Sequence, residues 1–274
     1  HHEYDMLKLL EDVSGVVEAC SVERALGIQA LVLKDQGGTS LRSLIKASRK
    51  ELDLFFTVAL GLTTVLKSVH DTDILHKDIN PNNILFLPET KSVSLIDFGS
   101  ATRLSRSQAV PLNPALIEGT LAYIAPEQTG RMNRSIDYRS DYYALGITLY
   151  ELLLGIQPFR SSDPMEQIHS HIAQKPVPPH VLNRDIPVEL SDVILKLIAK
   201  HPEERYQSAE GILADLNVCR DILAKNHAHT GFVPGRQEVL RRLRIPEKLF
   251  GREEEVKILH DAFQSTLKCR ETFL

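Results

Sequence analysis

An apolar helical pattern fills residues 51–70, ends near His70, and is followed at once by LHKDINPNNILF over 75–86. That order constrains the fold more than any other feature of the chain. A buried helix leads into a loop rich in small polar groups, and the chain then turns apolar again without a solvated spacer. ILFL (84–87) and VSLIDF (93–98) predict two short strands around the turn PETK. Asp78 precedes Asn83 by five positions on the loop, and Asp97 is expected to end the second strand. Two carboxylates and a carboxamide then stand at the ends of paired elements able to face one pocket.

The rest of the chain frames that loop. Residues 3–11 have apolar positions at helical spacing, and 15–23 and 28–35 predict strands before Gly37 and Gly38 interrupt the pattern. From Gly99 to about Glu127 no period is sustained, and a loop of that length inside a compact domain is functional or disordered. Asp141–Gly155 predicts a buried helix, and 189–200 and 208–224 predict amphipathic helices with PEER between them. A strand-rich start followed by a helical remainder gives an α+β fold class. No internal repeat is visible. From Asn226 to Pro246 the composition turns polar and loose, and a new helix, EEEVKILHDAF, follows Gly251.

Composition excludes several function classes. The 274 residues carry a net charge of -4, so no overall basic field draws nucleic acid. Cys20, Cys219 and Cys269 are far apart and form no CxxC pair, which argues against a disulfide framework or a zinc site and for a reducing, cytoplasmic setting. The stretch ALGITLYELLLG from Ala144 is too short to span a bilayer and carries Glu151, so no membrane segment is expected. His169 and His171 sit two apart on a predicted helix and do not share a face, so both are expected at the surface. Both ends look cut, and the chain is expected to be a piece of a longer protein.

The carboxylate and carboxamide set suits phosphoryl transfer. One carboxylate orients a hydroxyl nucleophile and takes its proton, while a second carboxylate and an amide oxygen hold magnesium against the phosphates. Oxygen ligands favour magnesium over a transition metal, and the lone His76 is expected to pack rather than to coordinate.

HKDINPNN, DFG at 97–99, EGTLAYIAPE at 118–127, DYYALGITLYELLLGIQPF and HPEERY at 201–206 follow in one direction. That succession resembles the C-lobe of eukaryotic-type Ser/Thr protein kinases. The resemblance implies ATP and Mg2+ as cofactors and a protein substrate. It assigns Asp78 as the catalytic base, with Asn80 and Asn83 in the catalytic loop and Asn83 and Asp97 as metal ligands. Glu3 matches the helix glutamate that pairs with a strand lysine, and LVLKDQGG matches the adenine-binding hinge, with Asp35 close by. Thr120 fits the substrate-positioning threonine. His76, Glu127, Asp141 and Arg205 fit structural positions: Glu127 pairs with a buried Arg205, and Asp141 anchors the catalytic-loop backbone. Ser100, Ser105 and Ser107 are candidate phosphorylation sites.

Three departures qualify the match. The chain starts at the Glu3 helix, without the Gly-rich loop and strand lysine, and neither Lys8 nor Lys34 stands in the right context to replace that lysine. The fragment is therefore expected to bind ATP poorly and to be inactive by itself. Asn80 stands where most such kinases have Lys; it can hydrogen-bond a γ-phosphate but does not neutralise it. Lys77 replaces the usual Arg before the base and loses the bidentate fork for an activation-loop phosphate.

RIPEKLFGREEEVKILHDAFQ resembles the opening of an AAA-type ATPase module. With HKDINPNN and EQTGRMNR (127–134), it is similar to large microbial signalling proteins that join a Ser/Thr-kinase-like domain to an AAA-like ATPase, a GAF sensor and a histidine kinase. The implied organisation is a kinase domain over 1–224, a linker over 225–246 and the start of the AAA-like domain over 247–274. The implied function is transfer of the ATP γ-phosphate to protein hydroxyls in signal transduction. The alternative is a pseudokinase acting as a regulatory platform for the ATPase and histidine kinase modules. A small-molecule phosphotransferase fits less well, because the APE region and long activation segment serve to present a polypeptide.

Overall fold

The computed structural model describes residues 2–25, 28–47, 51–104, 120–132, 134–225 and 231–238. The chain divides into two compact units, His1–Val239 and Leu240–Leu274; the second lies outside the described residues, as does the expected helix after Gly251.

The first unit opens with α1 (His2–Leu9) and an antiparallel hairpin of β1 (Ala19–Ala25) and β2 (Ile28–Leu33), with a register shift between Ala19 and Ser21. The strand expected over 15–23 starts late. Residues 15–17 bond Leu95 instead, through Leu95 N to Gly15 O at 2.8 Å and Val17 N to Leu95 O at 3.0 Å. A short strand β3 (Thr39–Ser40) leads into α2 (Leu41–Lys46), whose first turn is capped by Ser40 Oγ accepting from Ser43 N. After α3 (Leu52–Asp71) come β4 (Ile74–Leu75), β5 (Ile84–Leu87), β6 (Ser92–Leu95) and β7 (Thr102–Arg103). β3, β5 and β6 form one antiparallel sheet, and β4 pairs antiparallel with β7. Strand β6 stops at Leu95, two residues short of Asp97. Asp97 has φ 63, a left-handed conformation that no strand accommodates, so it lies in the turn after the strand rather than at its end.

The core is helical. One face of α3 buries Phe55, Val58, Ala59, Leu62, Leu66 and Val69. This helix is long and apolar enough to cross a membrane by length and composition, unlike the Ala144 stretch, but it packs against β6, α4 and α8. Helix α4 (Tyr138–Leu154) is hydrophobic on every side and fully buried from Ser140 to Leu154, the pattern of a helix surrounded by protein. Asp137 caps its start by accepting from Arg139 N. Gly146 lets it cross α7 closely, because a Cβ there would stand 2.6 Å from Leu197 and Ile198 side-chain atoms. Helices α6 (Pro179–Leu182) and α7 (Val188–Leu197) pack on α4, α5 (Pro164–Ala173) meets it through His171 and Tyr143, and α8 (Ala209–Lys225) packs on α3 and α7, with 3-10 turns at Thr120–Tyr123, Pro126–Thr129 and Pro202–Glu204.

His171 departs from the expected surface position. His169 is exposed, but His171 is completely buried, ringed by Tyr143, Phe159 and Gln167. Residues two apart face opposite sides of a helix, and α5 turns the His171 side toward α4.

Candidate active site

The loop between β4 and β5 is built from its backbone outward. Asp141, on the first turn of α4, is 1% exposed. Its Oδ2 accepts from His76 N at 3.0 Å, and its Oδ1 accepts from Lys77 N at 2.8 Å. His70 Nε2, from the last turn of α3, lies 2.8 Å from the same Oδ2. Burial opposes ionisation of Asp141, but the His70 hydrogen bond and the His70 and His76 rings outweigh it and hold the carboxyl below its ordinary value. This anchor holds Lys77 at φ 68, which turns the chain so that Asp78 follows.

Asp78 is held by its two neighbouring amides. Asn80 Nδ2 donates to Asp78 Oδ1 at 2.9 Å, and Asn83 Nδ2 donates to Asp78 Oδ2 at 3.0 Å. Both amides also reach the Asp78 carbonyl, at 3.2 and 3.0 Å. Each carboxylate oxygen keeps a further lone pair for a hydroxyl proton. Asn80 Oδ1 in turn accepts from Asn82 N at 2.9 Å, and Arg42 N donates to Pro81 O at 2.9 Å, tying α2 to the loop.

Asp97 is brought beside this loop by two links. Ile96 N donates to Asn83 O at 3.0 Å. His76 Nδ1 accepts from Asp78 N at 3.3 Å, which leaves Nε2 as the protonated nitrogen, donating to Ile96 O at 3.2 Å. The ring therefore spans the loops carrying Asp78 and Asp97, and it packs on Phe98 with centroids 4.6 Å apart. Burial drives its pKa down, so the neutral ring is favoured. Asp97 is exposed, and its Oδ1 accepts from Gly99 N at 3.2 Å.

Glu3 reaches the same turn: Phe98 N donates to its Oε1 at 3.3 Å. Lys8 and Lys34 pair with Glu11 and Glu18, at 3.3 and 2.7 Å, so neither serves Glu3. Asp35 is exposed and accepts from Gly37 N at 2.8 Å, closing a tight turn beyond β2. The Thr120 side chain and Ser105 and Ser107 lie outside the described residues.

With Asn83's amide nitrogen spent on Asp78, its carbonyl oxygen and the Asp97 carboxylate remain as hard oxygen donors. A pair of that kind suits magnesium, which keeps waters and phosphate oxygens in its other positions. Among the described residues no group of three or more His, Cys, Asp or Glu could hold a metal.

Residues 121–129 are fixed from below. Glu127 is bound bidentately by Arg205, Nη1 to Oε1 at 2.6 Å and Nη2 to Oε2 at 2.8 Å, and Ser140 Oγ adds 2.6 Å to Oε1. Gln128 bridges Ala125 N, at 3.0 Å, to Lys77 O, at 3.0 Å, joining this segment to the catalytic loop. Sequence reasoning missed a second tie. Tyr123 Oη bonds both Arg42 and Glu151, Gln157 Nε2 donates to it at 3.0 Å, and Arg42 Nη1 meets Glu151 Oε1 at 2.6 Å. Glu151, an acid inside an apolar helical pattern, was the available signal for it.

The protein kinase domain model matches residues 1–216. The chain is 33% identical over 202 residues to a probable serine/threonine-protein kinase of Clostridium perfringens, covering 73% of this chain and 29% of that protein. It is 41% identical over 147 residues to the serine/threonine-protein kinase PknB of Mycobacterium leprae, covering 54% and 23%. It is 28% identical over 311 residues to the hybrid signal transduction histidine kinase G of Dictyostelium discoideum, covering 82% and 9%. The chain thus spans less than a third of each of these relatives. With its 75–86 loop, Asp97 turn and Glu127–Arg205 pair arranged around one helical core and residues 1–216 matched by the family model, the chain belongs to the protein kinase family.

Proposed function

We propose that this domain transfers the γ-phosphate of ATP to Ser or Thr hydroxyls of a protein substrate. The observation that carries the reading is Asp78, whose two carboxylate oxygens are each fixed by a side-chain amide beside the Asn83–Asp97 donor pair. Asp78 orients the hydroxyl and accepts its proton as the oxygen attacks phosphorus. Asn80 and Asn83 hold that carboxylate still. Asn83 and Asp97 would hold Mg2+, which supplies charge neutralisation on the phosphates. Glu3 steadies the Asp97 turn, Asp35 marks the hinge side, and Thr120 positions the substrate hydroxyl. His76, Glu127, Asp141 and Arg205 keep these parts in register.

A non-transferring regulatory domain is the second reading. It is favoured by Asn80, which spends its amide on Asp78 and brings no cation to a phosphate. In either case the domain belongs to a signalling protein, with residues 247–274 opening an AAA-like module and GAF and histidine kinase modules further on. The Dictyostelium relative named as a hybrid histidine kinase supports that organisation. Free Cys20 and Cys219 suit the cytoplasm.

The test is transfer of labelled γ-phosphate, with Mg2+, by the full-length protein that carries this domain, to itself and to a Ser/Thr-rich protein. Asp78→Asn should cut transfer by about 10²–10⁴-fold, the usual share of a positioned general base. Equal transfer by wild type and variant would sink the assignment. Nucleotide binding with no transfer by wild type would favour the regulatory reading.

A further inference from the structure

The chain does not leave the domain after α8. Residues 231–238 return across it, beyond the last residue matched by the family model. Phe232 packs on the main core. Gly235 N donates to Asp215 Oδ2 at 2.6 Å, the oxygen that also accepts from Tyr206 Oη at 2.6 Å. Glu238 is held as well: its Oε1 accepts from Gln207 N at 2.9 Å and its Oε2 from Ser208 Oγ at 3.0 Å. Ser208 Oγ also accepts from Gly211 N at 3.1 Å, so the Glu238 carboxylate sits at the N-terminus of α8, where the helix dipole favours a negative charge. Burial nonetheless pushes the Glu238 carboxyl above its usual range, against the Gln207 and Ser208 hydrogen bonds.

Gln207 makes this contact consequential. Its Nε2 donates to the carbonyls of Pro202, Glu203 and Arg205, its Oε1 accepts from Arg139 Nη1, and its carbonyl accepts from Tyr138 Oη. Its backbone N–H goes to Glu238. Gln207 thus fixes the turn that aims Arg205 at Glu127, and the strap satisfies its amide. From Glu238 to Glu127 the path runs through Gln207 and Arg205, with fixed hydrogen bonds at every step.

We propose that residues 231–238 are a docked strap coupled to the Glu127–Arg205 pair, and so to residues 120–132 beside the loop that carries Asp78. Docked, the strap closes the bonding of Gln207 and holds Arg205 on Glu127. Released, it leaves the Gln207 amide and Ser208 hydroxyl without their acceptor and loosens both turns together. The coupling is read from the geometry; its meaning for protein-substrate presentation rests on the phosphate-transfer reading.

The experiment is amide hydrogen exchange on the full chain, comparing wild type with Glu238→Ala, Glu238→Gln and Arg236→Ala. Loss of two bonds to a charged acceptor should speed local exchange by about tenfold or more. Glu238→Ala should speed exchange in 199–208 and also in 120–132, Glu238→Gln less so, and Arg236→Ala, exposed on the strap, in neither. By reciprocity, Glu127→Gln should speed exchange in 231–238. Should Glu238→Ala fail to fold, wild type in low urea gives the same answer: the strap, 199–208 and 120–132 should open as one unit. Faster exchange confined to 231–238, or independent opening of the three segments, overturns the proposal. Absence of phosphate transfer by wild type would remove the function proposed above and leave these exchange outcomes as they are.

Discussion

The carboxylate of Asp141 takes the backbone N–H of Lys77 at 2.8 Å and holds that residue at φ 68. A lysine in the left-handed region carries a backbone cost of about 1–2 kcal/mol, which the buried carboxylate offsets. Asp141→Ala strips the acceptor from two buried amides and from His70, and should destabilise the domain by about 3 kcal/mol or more. Lys77→Gly should stay within about 1 kcal/mol of wild type, because relief of the backbone cost balances the added freedom of the unfolded chain. Lys77→Val should lose about 2 kcal/mol, because a β-branched residue tolerates this conformation least. Urea unfolding of the three variants measures this; equal losses for Gly and Val would refute it.

Stability should fall with acid through the buried histidines. Burial, and then the Lys200 charge, push His171 down to about 3, and burial lowers His76 in the same direction. Both rings stay neutral in the folded chain while the unfolded chain takes up protons below about pH 6.5. Between pH 7.5 and 5.5 His171 alone should remove about 1.4 kcal/mol of stability, and His76 adds to that loss. Asp141, depressed below the usual carboxylate range, loses its contribution only at lower pH. Urea midpoints at the two pH values should therefore differ, and His171→Gln should shrink the difference by its own share. An unchanged difference in that variant would show that His171 is protonated in the folded chain.

The Glu127–Arg205 pair should be far more sensitive than an exposed one. Arg205 is 1% exposed and its guanidinium also donates to the carbonyls of Ala199, Lys200 and Arg139. Arg205→Ala leaves a buried carboxylate and three carbonyls without their donor, at a cost of about 3–5 kcal/mol. Arg205→Lys keeps the charge but loses the fork, so most of that cost should remain. The surface pair Lys34–Glu18 is the control, and Lys34→Ala should leave the thermal midpoint close to that of wild type. Thermal midpoints in that order check the point; a mild Arg205→Lys would show that charge alone holds Glu127.

What the sequence disclosed follows contact range. Helices α3, α4, α7 and α8 were visible because their apolar spacing is local, and the loop 75–86 stood out because its polar residues are contiguous. His70 was invisible as an anchor, since Asp141 lies 71 positions away and only packing brings them together. Strand β3 and helix α2 were missed because Thr39–Ser40 is too short for a period and sits behind two glycines. His171 was misplaced because burial on α5 depends on which side faces α4, which spacing within α5 does not encode. Asp97 was assigned to a strand end because VSLIDF continues an apolar run past the last ladder bond at Leu95.

The Arg42–Tyr123–Glu151 tie has the most direct link to substrate handling. Arg42 joins three parts: its backbone N–H holds Pro81 in the catalytic loop, and its guanidinium holds Glu151 of α4 and Tyr123 beside Thr120. The Tyr123 hydroxyl is buried, and burial, with Glu151 adding to it, keeps it protonated and donating. Arg42→Ala and Tyr123→Phe each break this cluster, so the double variant should lose less than the sum of the two. The shortfall should be about 1–3 kcal/mol in unfolding free energy, the usual coupling inside one network. Simple additivity would mean that Arg42 and Tyr123 act on Glu151 independently. Because Arg42 touches no catalytic carboxylate, its loss should raise KM for protein substrate more than it lowers kcat, whereas Asn80→Ala, which frees one Asp78 oxygen, should lower kcat. A fall in kcat with unchanged KM for Arg42→Ala would place its effect in the catalytic loop through Pro81 rather than in the substrate segment through Tyr123.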